Sequence, residues 1–247
     1  MRRAYKIWLK SLLGFISIVV LLISAGCVQP SINILSTEVK GLGILIRGDT
    51  NTTADITYED DGGEVKKAEN LSGKFLISVH QSIEDRQVKI TSTIGKKSEE
   101  TVVDVKKVGY IGSYEEIQED YNFALDAAEL GAENKWPETV EDGIHDFNNK
   151  NGIKVIGNIS QGMLTSVMIQ NADYTIDAMN EKEINEFTTD FMAISAVLEA
   201  EDKVYDTFDR YFENPKTESG KVESGGYAYE FIDTPTSVYA IVTKSEY

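Results

Sequence analysis

The spacing of apolar residues along this chain changes once, near residue 110, and that change restricts the possible folds more than any other feature. Before it, apolar and polar residues alternate in short runs, the period of a half-buried strand. After it, apolar residues recur mainly every three or four positions, the period of a helix packed on one side. Strands gathered first and helices later exclude a regular βαβ alternation. They lead to the expectation of a multidomain protein: an all-β sandwich over residues 31–109, followed by an α+β domain over 110–247, with helices on an antiparallel sheet.

In the first region, residues 43–47, 54–58, 75–79, 87–91 and 101–105 each read as a strand. Turn-forming residues separate them, among them Asp60-Asp61-Gly62-Gly63 and Ser72-Gly73. In the second region, Ile117, Tyr121, Ala124, Leu125 and Ala128 predict an amphipathic helix, and Val140, Ile144 and Phe147 predict a second helical stripe. Strands are expected at 154–159, 166–170 and 174–177. A single long helix is expected over 181–212, with its apolar stripe running through Ile184, Phe187, Phe191, Ile194, Leu198, Tyr205, Phe208 and Phe212, and closed by Pro215. Two last strands, near 226–232 and 237–243, flank the turn Asp233-Thr234-Pro235-Thr236.

The first ten residues carry Arg2, Arg3, Lys6 and Lys10 and no acid, and an apolar run from Leu12 to Ile23 follows. About a dozen apolar residues fall short of the ~20 that a membrane span needs, but they suit the core of a secretory signal peptide. Ser24-Ala25-Gly26-Cys27 ends the run, and Cys27 is the chain's one cysteine. This stretch resembles the lipobox of bacterial lipoproteins. The resemblance implies cleavage before Cys27, lipidation of Cys27, a signal peptide over 1–26 and a short lipidated linker over 27–30. The protein would then be held on the extracytoplasmic face of the cell membrane. Removing four basic residues and no acid would take the formal charge from −17 to −21.

A second resemblance lies in the strand region. Ile46-Arg47-Gly48-Asp49-Thr50, Ala54-Asp55-Ile56-Thr57, Ser72-Gly73-Lys74-Phe75, Val88-Lys89-Ile90-Thr91-Ser92 and Thr101-Val102-Val103-Asp104-Val105 together resemble a bacterial immunoglobulin-like domain of cell-surface proteins. The resemblance implies a β-sandwich used as a stalk, spacer or adhesion module. Arg47-Gly48-Asp49 also spells a cell-adhesion tripeptide, which the turn chemistry of that motif already explains.

Charge divides the two regions. Residues 31–109 hold 13 acids and 11 bases, whereas residues 110–247 hold 28 acids and 9 bases, a net −19. Such a balance excludes nucleic acid as the main partner, because phosphate binding needs a basic face. One cysteine and two histidines exclude a disulfide framework, a cysteine-rich zinc site and an iron–sulfur cluster. His145, near Asp142 and Asp146, is the candidate general base, but no Gly-x-Ser-x-Gly elbow supplies a nucleophile. His80 stands at a strand end. Asp60, Asp61 and Glu64 concentrate hard oxygen ligands in a turn that lacks EF-hand spacing, a weak calcium candidate.

These exclusions leave a non-enzymatic binding module of the bacterial envelope, with no cofactor and with a basic-faced envelope or surface protein as partner. The expected docking surface is Glu115, Glu116, Glu119, Asp120, Asp126 and Glu129. Tyr227, Tyr229 and Tyr239 form a candidate aromatic face, either core beneath the long helix or an open groove. Two alternatives stay open: a small-ligand or cation-binding lipoprotein serving a transporter, and an envelope hydrolase.

Overall fold

The computed structural model describes residues 28–128, 134–172, 176–213 and 220–245. It is a sheet-rich, multidomain structure of antiparallel strands with three α-helices among the described residues. Two compact units divide the chain. One holds the described residues up to Ser36 with Arg47–Ile77 and Val88–Val103; the other holds Thr37–Ile46, Ser78–Gln87 and the residues from Asp104 onward.

Eight strands precede residue 110: β1 (Ile32–Lys40), β2 (Gly43–Thr50), β3 (Asp55–Asp60), β4 (Val65–Ala68), β5 (Asn70–Leu71), β6 (Lys74–His80), β7 (Arg86–Ile94) and β8 (Lys97–Val105). They make two four-stranded sheets, ordered β1-β2-β6-β5 and β4-β3-β7-β8. Burial alternates along β6, where Phe75, Ile77 and Val79 are buried and Lys74, Leu76 and Ser78 exposed, and along β7 in the same way. Asn70 secures the β5 corner: its Nδ2 donates to the carbonyls of Asn51 and Ala54, both at 2.8 Å, and its Oδ1 accepts from the Gly73 amide.

Beyond residue 110 come β9 (Gly112–Ser113), α1 (Tyr114–Ala127), β10 (Gly143–Lys150), β11 (Ile153–Ser160), β12 (Met163–Asn171), α2 (Glu181–Val197), α3 (Asp202–Glu213), β13 (Gly220–Ser224), β14 (Tyr227–Thr234) and β15 (Ser237–Lys244). The sheet runs β10-β11-β12-β15-β14-β13, with β9 paired to the start of β12. Three of its hairpins close on two-residue turns with both residues at positive φ: Asn151-Gly152, Gln161-Gly162 and Gly225-Gly226. Their twist matches that of the flanking strands. All three helices cover one face of the sheet. Tyr121 and Leu125 of α1, Phe187, Phe191 and Ile194 of α2, and Phe208 and Tyr211 of α3 join Val155, Val167, Tyr229, Phe231 and Val242 in a single core.

The structure differs from the sequence reading at several elements. Residues 143–150 are the edge strand β10, not a helical stripe; spacings of four and three at Val140, Ile144 and Phe147 happen to fit a helix. A bulge between Asp146 and Asn148 turns Phe147 and Asn148 successively inward, which spoils the alternation that would have marked a strand. The helix expected over 181–212 is two helices, α2 and α3. Glu199 takes a left-handed conformation (φ 51°), and the Ala200 amide donates to the Ser195 carbonyl, ending α2. At 174–177 the described part is a 3-10 turn, Ile176–Ala178, rather than a strand. Strands β1, β4, β5, β9 and β13 are additional. Pro215 lies outside the described residues.

Candidate functional site

The chemistry of the second unit concentrates around α1, on its outer face and in the polar cluster beneath it. Strand β9 fixes where the helix starts, because Ser113 and Gly112 pair with Met163 and Leu164. The next turns are locked from below. Tyr114 donates its hydroxyl to the Pro137 carbonyl at 2.6 Å. Tyr121 stacks on Trp136 at 4.3 Å between ring centroids, and Trp136 packs on Phe147 at 4.7 Å. Asn122 makes a reciprocal pair with the Trp136 backbone, its Oδ1 accepting from the amide and its Nδ2 donating to the carbonyl. Tyr114, Gln118, Tyr121 and Leu125 are buried, so helical periodicity sends the intervening residues outward.

That outward face carries Glu115, Glu116, Glu119, Asp120 and Asp126, all exposed. No basic side chain occurs at 114–128. Asp126 is paired with Lys135 at 2.7 Å. Among the acids stands Phe123, which at 73% is the most solvent-open large apolar residue among the described residues. Glu119 and Asp120 lie one turn before it and Asp126 one turn after, so carboxylates rim an exposed phenyl ring. Glu129, the sixth expected member of this surface, lies outside the described residues, as does Cys27.

Beneath α1 is a cluster that sequence reasoning missed. Asp190 of α2 is buried to 1% exposure. Its Oδ1 accepts the Tyr121 hydroxyl at 2.6 Å and, more distantly, Asn148 Nδ2 at 3.5 Å. Its Oδ2 has no hydrogen-bond partner, and neither has Asn148 Oδ1. One turn earlier, Glu186 is fully engaged: Lys150 Nζ lies 3.3 Å from its Oε2, Asn151 donates to the same oxygen, and Asn134 donates to Oε1. Lys150 also donates to Asn134 Oδ1 at 2.6 Å. The two carboxylates are therefore inequivalent, since Glu186 has a cation and Asp190 has none in contact.

The electrostatics follow. Burial pushes the Asp190 carboxyl up from 3.8 to about 6; the hydrogen bond from Tyr121 opposes this and the charge of Glu186 adds to it. The Tyr121 phenol is pushed well above its ordinary value, first by burial and then by Asp190. The signal for this cluster was present in α2, where Glu183, Glu186 and Asp190 recur at spacings of three and four beside the stripe of Phe187, Phe191 and Ile194. All three acids are buried.

The other expected residues separate. Register pairs Tyr229 with Val242 but Tyr239 with Ile232, which sets the two tyrosines on opposite faces of the sheet. Tyr229 is core, edge-on to Phe191 at 6.4 Å, and Phe231 packs likewise at 5.3 Å. Tyr227 is half-buried, with the Lys244 ammonium 4.4 Å from its ring centre. Tyr227, Tyr229 and Tyr239 thus line no common groove. Near His145, the Asp142 carboxylate accepts the Gln161 and Gly162 amides and Asp146 pairs with Lys154, so neither orients the imidazole. His80 is in contact with Arg86. Asp60, Asp61 and Glu64 sit around the β3–β4 turn. Among the described residues no group of three or more His, Cys, Asp or Glu side chains is placed to hold a metal ion. Nor is any described helix long and apolar enough to cross a membrane.

No protein-family model matches this chain, and no curated protein matches it.

Proposed function

We propose that this protein is a lipid-anchored, extracytoplasmic interaction protein of the bacterial envelope, working without catalysis and docking a basic-faced partner on the outer face of α1. The carrying observation is the exposed Phe123 within the rim of Glu116, Glu119, Asp120 and Asp126. A helix held rigidly from below that presents one large apolar side chain within like charges has the form of a docking knob. Burying that ring in a partner's pocket would contribute about 1.5–3 kcal/mol, and the rim would favour a basic partner and speed its approach.

The anchoring part of the proposal rests on the basic, apolar and Ser24-Ala25-Gly26-Cys27 sequence at the N-terminus. We also assign the two N-terminal sheets to an immunoglobulin-like spacer. With the strands lettered A, B, C, C′, D, E, F and G in chain order, the sheet orders become A-B-E-D and C′-C-F-G, the arrangement of that fold.

Cross-linking the full-length protein in its own membrane, followed by identification of the captured protein and titration of the purified pair, tests the docking reading. The expected result is one dominant partner whose affinity falls steeply with salt and drops at least about tenfold on Phe123→Ala. Binding that ignores both salt and Phe123 would overturn it.

A further inference from the structure

We propose that Asp190 is a proton-operated latch for α1: proton uptake on its free carboxylate oxygen seats the helix on the sheet, and proton loss loosens it. Asp190 touches the underside of α1 through the Tyr121 hydroxyl, and Tyr121 in turn stacks on Trp136. Those two contacts join α2 to α1 and to the segment that follows it, so a change of charge at Asp190 acts on both.

The free oxygens define the two states. Asp190 Oδ2 and Asn148 Oδ1 are both buried acceptors without donors. A proton on Oδ2 removes the charge and turns one of these orphans into a donor, so the seated cluster suits the neutral acid. Ionised, the same carboxylate keeps the neutral donors Tyr121, Asn148 and Asn134 but loses bulk water, and for this buried charge the loss outweighs what those donors return. The titratable groups acting on it are Tyr121 from α1 and Glu186 from its own helix, and Lys150 of β10 reaches Glu186 rather than Asp190. Tyr121 stays neutral, and the cation of Lys150 is held by Glu186, whose charge opposes that of Asp190. Nothing in this set compensates ionisation at Asp190.

The sign is therefore the reverse of ordinary acid destabilisation. Burial raises the Asp190 carboxyl from 3.8 to about 6 in the seated state, so the seated state binds the proton more tightly than an opened one. The stabilisation is complete below the ordinary value and is lost as pH rises through about 6. Linkage between 3.8 and about 6 gives roughly a tenfold fall in the seated-to-open ratio of α1 between pH 5 and pH 7.5. The consequence for function rests on the docking role of α1 proposed above: the face would be most ordered in mild acid.

The latch is testable without any partner. Amide hydrogen exchange of the full-length protein in detergent, corrected for intrinsic rates, should show residues 114–127 about tenfold less protected at pH 7.5 than at pH 5. In Asp190→Asn, which is permanently neutral, that dependence should vanish. Equal protection at both pH values in the wild type, or the same tenfold change in Asp190→Asn, overturns the proposal. Should Asp190→Asn fail to fold, carboxyl ¹³C titration of the wild type decides: a midpoint near 6 at Asp190 supports the latch, and one near 3.8 overturns it. A partner that binds elsewhere would refute the docking reading and leave these outcomes untouched.

Discussion

Single residues in the second unit are constrained chiefly by how closely the sheet lets them approach. Gly157 on β11 faces Phe147 across the bulge of β10, and a Cβ built on it would stand 2.1 Å from the Phe147 ring. The glycine is needed for that space rather than for its backbone freedom. Phe147 cannot swing aside cheaply, because Tyr114 and Trp136 pack on it at 5.2 and 4.7 Å. Gly157→Ala should therefore cost about 1–3 kcal/mol, the range for overpacking a filled core. Urea unfolding should show it as a lower midpoint with an unchanged slope. A loss below about 0.5 kcal/mol would mean that the β10 edge moves away freely.

Elements differ in how openly the sequence announces them. Glu199, where α2 ends, is a non-glycine residue in the left-handed region with its side chain exposed. Glycine there would relieve about 0.5–1 kcal/mol of strain, so Glu199→Gly should raise the thermal midpoint by about 2 °C. Glu199→Ala, which removes the charge but keeps the Cβ, should not. The same residue explains why one long helix was expected. The stripe from Ile184 to Phe212 keeps helical spacing across the break, and glutamate gives no stop signal. By contrast, the start of α2 was written in Asn180 and Glu183, which form a reciprocal capping box. The separation into a strand-rich region and a region of helices on a sheet followed from periodicity alone. Strand β10 did not, because its bulge breaks the alternation, although Asn151-Gly152 directly after it is a strong hairpin turn signal. The acidic outer face of α1 could be read from charge. The acids of the Asp190 cluster could be read from their spacing in α2, but their partners could not, because Tyr121, Asn134 and Asn148 meet α2 from positions 42 to 69 residues away in the chain.

For the molecule as a whole, the anchoring proposed above would rest on one atom, the Cys27 sulfur. A lone acyl chain binds a bilayer only marginally, and proteins with one chain commonly add a basic patch as the second signal. That second signal is missing here. Residues 28–60 contain only Lys40 and Arg47 as bases against five acids, and the chain after Gly26 carries −21 overall. Anionic lipid would repel such a protein, so two acyl chains on Cys27 would have to hold it without electrostatic help. The apolar run of residues 12–23 is too short to serve as a spanning helix in their place. Cys27→Ser should thus move nearly all of the protein from the detergent-rich to the aqueous phase in a phase-partition assay of whole cells. The wild type should stay in the detergent phase even in high salt, since hydrophobic anchoring is not screened. Retention of Cys27→Ser in the detergent phase would show that residues 1–26 anchor the chain uncleaved. Salt-driven release of the wild type would instead place its hold on a membrane-bound partner, through the same charged surfaces that surround Phe123.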